Sequence, residues 1–518
     1  MNKGCPDHHD PVAPEAPAAF RGDFLTDPEA RRGVSTASGV LSRMPAALAR
    51  PADADDVATL VRWAAEHDTP LVPRGAGTGM PGGNVGAGVI VDLQHAFRGI
   101  SPIDVDRRTV RVEPGVTLGE VNRLAASHGL RFPVDPSSGE RCSVGGVIAN
   151  NAAGAHSVLF GATRAWVDAV EVVTARGSRA ILRRGEAPTD PELAETFAAL
   201  RERFSSEREA IEAAWPRVRK NSSGYALKEF LETGDALDLV IGSEGTLALV
   251  VEAELRLAPL PAARALALLE FDRLEAAVEA VDALLPLAPA TCEMLDATFL
   301  EMVRTSGHSP YPLREEMEAI LLVEVEADDA GDAKAALERV RETTIGLASG
   351  GVFAEDPERQ KALWAIRHAA SPIIAARADG RRSMQFIEDS VVPLDALPEY
   401  IRALRATLVA HHLPAVIFGH AGDGNLHVNP LVDVTEEGWR KQVGEVLEEI
   451  ASVVARLGGT LAGEHGDGRL RAPLLERIWG REMVDRFRIV KQALDPQGIL
   501  NPGVILPLPG QAPLDALA

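Results

Sequence analysis

The 518-residue chain is short of cysteine, of positive charge and of uninterrupted apolar runs. Its 3 cysteines, Cys5, Cys142 and Cys292, are scattered and form no CxxC pair. That excludes a disulfide framework, a cysteine-rich zinc module and a cysteine-ligated iron–sulfur cluster within this chain. The same usage suits a reducing compartment, so a cytoplasmic location is expected. No apolar stretch approaches the roughly 20 residues of a membrane-spanning helix. Runs such as LALVVEAELRLAPL are broken by charges, so any membrane association is expected to be peripheral, through a partner. The opening MNKGCPDHHDPVAPEAPAAF lacks the basic start and apolar core of a signal peptide and reads as a flexible tail. With 53 Lys+Arg against 75 Asp+Glu the formal charge is −22, which argues against nucleic acid as a partner. What remains is ordinary for a globular protein, 46% hydrophobic and 25% charged. The length allows two or three domains, or one large enzyme with a cap.

Along the chain, Asp53 can cap a helix whose apolar positions are Val57, Leu60, Val61 and Ala64, three and four apart. Short strands are expected at Pro70 to Pro73, Val89 to Leu93 and Thr109 to Gly115. Thr117 and Glu120 form a capping box for a helix closed at Gly129. A strand is expected in WVDAVEVVTARG and a charged helix over 190–215. DLVIGSEGTLALVVEAELRL reads as a strand, a tight turn and a long strand. Beyond Pro259 and Pro261 the pattern becomes helix–strand alternation with fewer glycines, including a helix at Leu274 to Leu285, the strand AILLVEVEA and a helix at Ala333 to Thr343. That pattern predicts an antiparallel sheet with helices on one face, so the whole is an α+β protein.

The 46 glycines cluster, and two of the clusters follow strand signals. PRGAGTGMPGGNV (Pro73 to Val85) could let backbone N–H groups approach an anion, since side chains are absent. It is not the dinucleotide fingerprint, because Met80 stands where the last glycine of GxGxxG belongs; Asp92 at a strand end keeps a Rossmann reading open. A loop that only turns the chain is the plainer alternative. SVGGVIANNAAG, KNSSGYAL and IGSEGTLAL also carry small residues against which a large flat ligand could lie. A second constellation is FGHAGDGNLHVN with LAGEHGDGR. His420 and His427, with Glu464, suit a zinc-like divalent ion with open positions, and neighbouring His465 could act as a base. Polar residues merely hydrogen-bonded in loops, and a hydrolytic zinc site, are the competing readings, although no HExxH is present.

The glycine segments, in their order along the chain, resemble the FAD domain of the vanillyl-alcohol-oxidase type. The resemblance implies that Arg74, Gly75, Ala76, Gly77, Thr78, Gly79 and Met80 wrap the pyrophosphate. It further implies that Pro136, Ser138, Ser143, Gly145, Gly146, Asn150, Ala153 and Gly154 line the flavin and its phosphates, with Ile241 on the adenine side and Asn501 near the flavin. Some relatives bind FAD covalently through a histidine in the first loop; this loop has none, so non-covalent FAD is expected. The histidine motifs resemble the C-terminal domain of FAD-linked D-2-hydroxyacid dehydrogenases, a group that includes D-lactate and D-2-hydroxyglutarate dehydrogenases and the flavin subunit of glycolate oxidase. That resemblance implies a ferredoxin-like cap and a metal, expected to be zinc, on His420, His427 and Glu464. It implies that His465 is the base, that Asn429 contacts substrate, and that Arg367 in LWAIRHAAS grips the substrate carboxylate with Ser371 in support. One branch carries a lysine before an aspartate and a proline to meet a distal carboxylate. Here RRSMQFIEDSVVP has none, and Arg381 or Arg382 is the candidate replacement.

The expected organisation is a tail and entry segment over 1–44, an FAD-binding domain over 45–262, a cap over 263–450 and a C-terminal segment over 451–518 that returns to the flavin. The expected reaction is oxidation of a D-2-hydroxyacid to the 2-oxoacid. A glycolate-oxidase-like flavin subunit and the oxidation of another alcohol are the alternatives. Electrons would leave to a separate iron–sulfur subunit, a quinone or a cytochrome, and a homodimer is the candidate assembly.

Overall fold

The computed structural model describes residues 11–306, 311–369, 373 and 380–517. The capping signals act as read. Asp53 accepts the Asp56 N–H at 3.0 Å and starts the helix Ala54–Glu66, whose Val57, Leu60, Val61 and Ala64 are buried. Thr117 and Glu120 satisfy each other's backbone N–H groups at the start of the helix Leu118–Ala126. In a first, four-stranded sheet, Ala47–Arg50, Val89–Asp92 and Leu71–Arg74 run parallel, and Asp23–Leu25 pairs antiparallel at one edge. The helix Ala54–Glu66 carries the chain from Ala47–Arg50 across to Leu71–Arg74, and Val89–Asp92 then inserts between them. A second four-stranded sheet is antiparallel, in the order Thr109–Val112, Ala248–Arg256, Val167–Thr174, Arg179–Arg183. Val173, Leu249 and Val251 of the second sheet share one core with Ala47, Val89 and Val91 of the first.

DLVIGSEGTLAL departs from expectation. Its first three residues, Asp238 to Val240, close the short helix Ala236–Val240, and only Ala248–Arg256 is a strand. A buried run as short as LVI carries no period that separates strand from helix.

Beyond Pro259 the chain builds one eight-stranded antiparallel sheet. The sequence predicts helices on one face only; they cover both. Along Ala263–Phe271, residues Ala265, Ala267 and Leu269 face one core, while Leu266 and Leu268 face another. The first core is closed by the helices Leu274–Leu284, Ala330–Thr343, Leu397–Ala410 and Trp439–Arg456. The second is closed by Ala297–Ser306 and Pro357–His368. Strands apolar on both sides, as in ARALALLEF and AILLVEVEA, demand cover on both sides.

The C-terminal part leaves this sheet and goes back to the first half of the chain. The helix Leu475–Leu494 buries Trp479, Met483, Phe487 and Val490 in the core of the second sheet. Residues 499–501 then pair with Leu71, giving and receiving backbone hydrogen bonds of 2.8 Å. Among the described residues no helix is long and apolar enough to cross a membrane.

The Phe487 ring is fully buried, edge-on to Tyr225 and Trp479 at 5.7 and 5.2 Å between centroids. Phe487→Ala is expected to cost about 3–5 kcal/mol, read as a lower denaturation midpoint in urea. A change under about 1 kcal/mol would mean that this helix does not anchor the chain's end.

Candidate functional site

Two clefts meet between the half with the small sheets and the eight-stranded sheet. The first is walled by the loop Arg74–Met80, by residues 136–150 and by Ser243 to Gly245. The second is walled by the strands carrying Glu293, His420, His427 and Asn429, and by one stripe of the helix Pro357–His368 that includes Trp364, Arg367 and His368. Met80, Ser137, Glu464 and His465 line both.

The first cleft is built for close backbone approach. A Cβ on Gly75 would stand 2.0 Å from Ser143 Oγ, and one on Gly145 would stand 2.5 Å from Pro114 Cβ. Arg74 spends its guanidinium on the carbonyls of Thr36 and Asn84, at 2.9 and 3.1 Å, and so ties the glycine loop to the entry segment. Burial lowers its pKa, and the charge of Asp92 opposes this. Pro136, Ser138, Ser143, Gly146 and Asn150 also line this cleft, while Gly154 lines the second. Three other expected flavin neighbours lie in neither wall. Ala153 is fully buried. Ile241 is buried and its carbonyl accepts from Arg164 at 2.8 Å. Asn501 donates to the carbonyls of Gly83 and Glu244, both at 2.8 Å, and holds two wall segments from behind. The arrangement fits a flat cofactor with a diphosphate: a long cleft of glycine and small residues, open along its backbone.

In the second cleft the hairpin Ala415–His420 and Asn425–Asp433 brings His420 and His427 together, and alternation puts His427 and Asn429 on one face. His420 Nδ1 donates to Glu293, across the neighbouring strand Thr291–Asp296. His427 Nδ1 donates to the carbonyl of Glu388 at 2.8 Å. With both Nδ1 atoms committed, the two Nε2 atoms turn toward the same point and stand 3.2 Å apart. Glu464 Oε1 lies 3.4 Å from His420 Nε2 and 3.5 Å from His427 Nε2. Two acceptor nitrogens and a carboxylate oxygen facing one point repel each other unless a cation or protons lie between them. All three are buried, and their donor atoms fall within 4.8 Å of one another. The set therefore fits a divalent ion of the zinc type, with the second partners that orient such ligands already in place.

Charge follows the same plan. Burial pushes the His427 imidazole down, His420's charge adds to this, and it falls to about 4. Burial would also lower His420, but Glu293 outweighs it and raises that imidazole to about 9. Glu293 is held down at about 2, against its burial, by His420 and Arg367.

The loop 463–468 carries Glu464 and His465. Asp389 Oδ2 accepts the N–H groups of both, at 3.0 and 2.9 Å. Gly468 has φ +54°, and a Cβ there would stand 2.1 Å from the Pro81 carbonyl, so glycine lets this loop touch the first one. Asn150 donates to the His465 carbonyl at 2.8 Å, a direct link between the clefts. His465 Nδ1 donates to Glu388 Oε2 at 2.7 Å, leaving Nε2 free, 3.4 Å from Glu464 Oε1. Burial lowers that imidazole, but Glu388 and Asp389 reverse the effect and raise it to about 9. Nε2 therefore holds a proton below about pH 9 and can accept one only after that proton has left.

Arg367 lies 4.2 Å over the Phe418 ring, with Nε 2.9 Å from Glu293 Oε2. Arg382 is exposed on the edge strand Arg381–Ser383 and is absent from the walls of both clefts. Ser371 lies outside the described residues. Sequence reasoning missed Glu293 and Glu388. The signal for Glu293 was an acid in the apolar strand TCEMLD; for Glu388 it was the acid pair of FIEDS.

Residues 45–182 match the FAD binding domain family, and residues 260–505 match the family of FAD linked oxidases, C-terminal domain. The chain is similar to a D-2-hydroxyglutarate dehydrogenase of Xanthomonas citri pv. viticola, 32% identical over 89% of each chain. It is also similar to the glycolate oxidase subunit GlcD of Bacillus subtilis, 29% identical over 89% of this chain and 88% of that one. It is 29% identical to a D-2-hydroxyglutarate dehydrogenase of Pantoea ananatis over 94% of its own length, but spans only 50% of that longer relative. Among solved structures, alkyldihydroxyacetonephosphate synthase (TM-score 0.67, 16% identity, 95% of this chain and 87% of that one) shares the fold. So does 4-ethylphenol oxidase from Gulosibacter chungangensis (TM-score 0.67, 16% identity, 93% and 94%).

Gly75→Ala is expected to purify with far less flavin, at least a tenfold loss of affinity read from absorbance near 450 nm, while far-UV circular dichroism is unchanged. Full flavin content in this variant would mean that the Gly75–Ser143 contact does not shape the cleft.

Proposed function

Since the chain belongs to the family of FAD-linked oxidases that includes the D-2-hydroxyglutarate and D-lactate dehydrogenases, we propose that it oxidises a D-2-hydroxyacid to the 2-oxoacid, with non-covalent FAD in the first cleft and a divalent cation, zinc in kind, in the second. The observation that carries this reading is the meeting of the clefts at Met80, Ser137, Glu464 and His465. FAD supplies the two-electron acceptor and the cation supplies charge that stabilises a developing alkoxide. Everything else falls to side chains. His420, His427 and Glu464 hold the cation. Arg367 takes the substrate carboxylate, where a guanidinium offers two parallel donors, and Asn429 offers an amide beside it. His465 Nε2 removes the hydroxyl proton, and Glu388 keeps Nδ1 protonated so that Nε2 remains the basic atom.

The family's dicarboxylate and monocarboxylate substrates both fit this chemistry. Arg382 points to neither, since it lies outside the walls of the clefts. The electron acceptor proposed is an iron–sulfur subunit, quinone or cytochrome.

Anaerobic mixing with D-lactate, D-2-hydroxyglutarate, glycolate and the L-isomers tests the reading. At least one D-hydroxyacid is expected to bleach the flavin while its L-isomer does not. His465→Ala is expected to keep the yellow colour and to slow that bleaching by about 10²–10⁴-fold. No bleaching by any of these acids would remove the proposed activity. An unchanged rate in His465→Ala would remove His465 from the proton transfer.

A further inference from the structure

KNSSGYAL, singled out above with the flavin-type glycine segments, instead packs against the loop that carries Glu464 and His465. Ser222 N–H donates to the Ala462 carbonyl at 2.9 Å, and Ser222 Oγ accepts the Gly466 N–H at 3.1 Å. Gly224 N–H donates to Asp467 Oδ2 at 2.8 Å. At the head of this segment stands Lys220, only 5% exposed. Its ammonium forms a buried ion pair with Glu464 Oε2, and it donates to Asn425 Oδ1 at 3.2 Å. Glu464 Oε1 is the oxygen that faces His420, His427 and His465. The two oxygens of this carboxylate thus face different cations.

The contacts around Lys220 close into a ring. Asn425 Nδ2 donates to Asp389 Oδ1 at 3.1 Å, and Asp389 Oδ2 accepts the N–H groups of Glu464 and His465. Backbone and side chain of Glu464 are therefore fixed from behind by one connected set, and Lys220 is its member that touches the carboxylate. A buried lysine is costly to desolvate and is retained only where its charge is matched. Here the match is the outer oxygen of a candidate metal ligand.

We propose that Lys220 is a positioning residue of the metal centre: by holding Glu464 Oε2, it limits Glu464 to one oxygen toward the ion and so keeps a coordination position open for substrate. This rests on the metal reading given above. Without the ammonium, both oxygens are free to turn toward the cation, and a carboxylate binding through both would fill a position that the substrate needs.

The test is zinc K-edge absorption fine structure on the FAD-loaded full chain without substrate, for the wild type, Lys220→Met and Lys220→Arg. Flavin reduction by an active D-hydroxyacid is measured in parallel. The wild type is expected to show one carboxylate oxygen on zinc, and Lys220→Met a second, with flavin content retained and reduction slowed at least tenfold. Lys220→Arg, which keeps the charge, is expected to recover the single-oxygen shell. An identical zinc shell in Lys220→Met overturns the proposal. So does two-oxygen binding by Glu464 in the wild type, which decides the matter even if neither variant folds. Wild-type enzyme that reduces its flavin yet holds no zinc overturns the metal reading and this proposal together. Wild-type enzyme with zinc in a single-oxygen shell but a slow, unaltered-shell Lys220→Met keeps the former and rejects the latter.

Discussion

The structure turns on one convergence: two imidazole Nε2 atoms and a carboxylate oxygen directed at a single buried point. Such an arrangement is repulsive by itself, and the protein maintains it by fixing each group from the far side. Glu293 holds His420, the Glu388 carbonyl holds His427, and the Asp389 carboxylate holds the backbone of Glu464. The supports and the groups they hold come from three strands and two loops of the eight-stranded sheet and its return segment. The sheet therefore has to be rigid, and its cover of helices on both faces makes it so. Preorganisation of this kind places the cost of gathering like charges in folding rather than in the reaction.

The second requirement is that this point lie beside the glycine-lined cleft. Three contacts secure it. Asn150 reaches the His465 carbonyl, Gly468 lies against Pro81, and the helix Leu475–Leu494 carries the chain back into the core of the other half. Charges cross the same seam: Arg131 of the first half pairs with Glu326 of the large sheet, and His156 stands 3.4 Å from Glu324. Burial would make His156 less basic, but Asp135 and both glutamates reverse this and raise it to about 11. Its stabilisation of the seam is full below the ordinary imidazole pKa of 6.5 and is lost progressively as pH rises from there toward about 11.

What the sequence disclosed was what sits close together in it. The capping box at Thr117 and the amphipathic helix after Asp53 behave as read, and the glycine loop Arg74–Met80 and the two histidine motifs, each about a dozen residues long, line the two clefts. What escaped was anything assembled from distant segments. Glu293 is 127 positions from the histidine it orients, and nothing local marks it beyond a charge inside an apolar strand. Glu388 and Asp389 drew notice only for the lysine their segment lacks, although they orient His465 and its loop. KNSSGYAL carried a glycine signature that suggested flavin, whereas its lysine faces Glu464. The one-sided cap and the strand read at the start of DLVIGSEGTLAL failed for a related reason: apolar runs say that a segment is buried, not its conformation or what covers it.

The central claim is that a cation at this point is required for the acid to reduce the flavin. The direct measurement is the anaerobic rate of flavin reduction in one preparation as isolated, after chelation, and after zinc is returned, with metal content determined at each stage. The account predicts that reduction is lost with the metal and restored with it while FAD stays bound throughout. A metal-free sample that reduces its flavin at the original rate would contradict it.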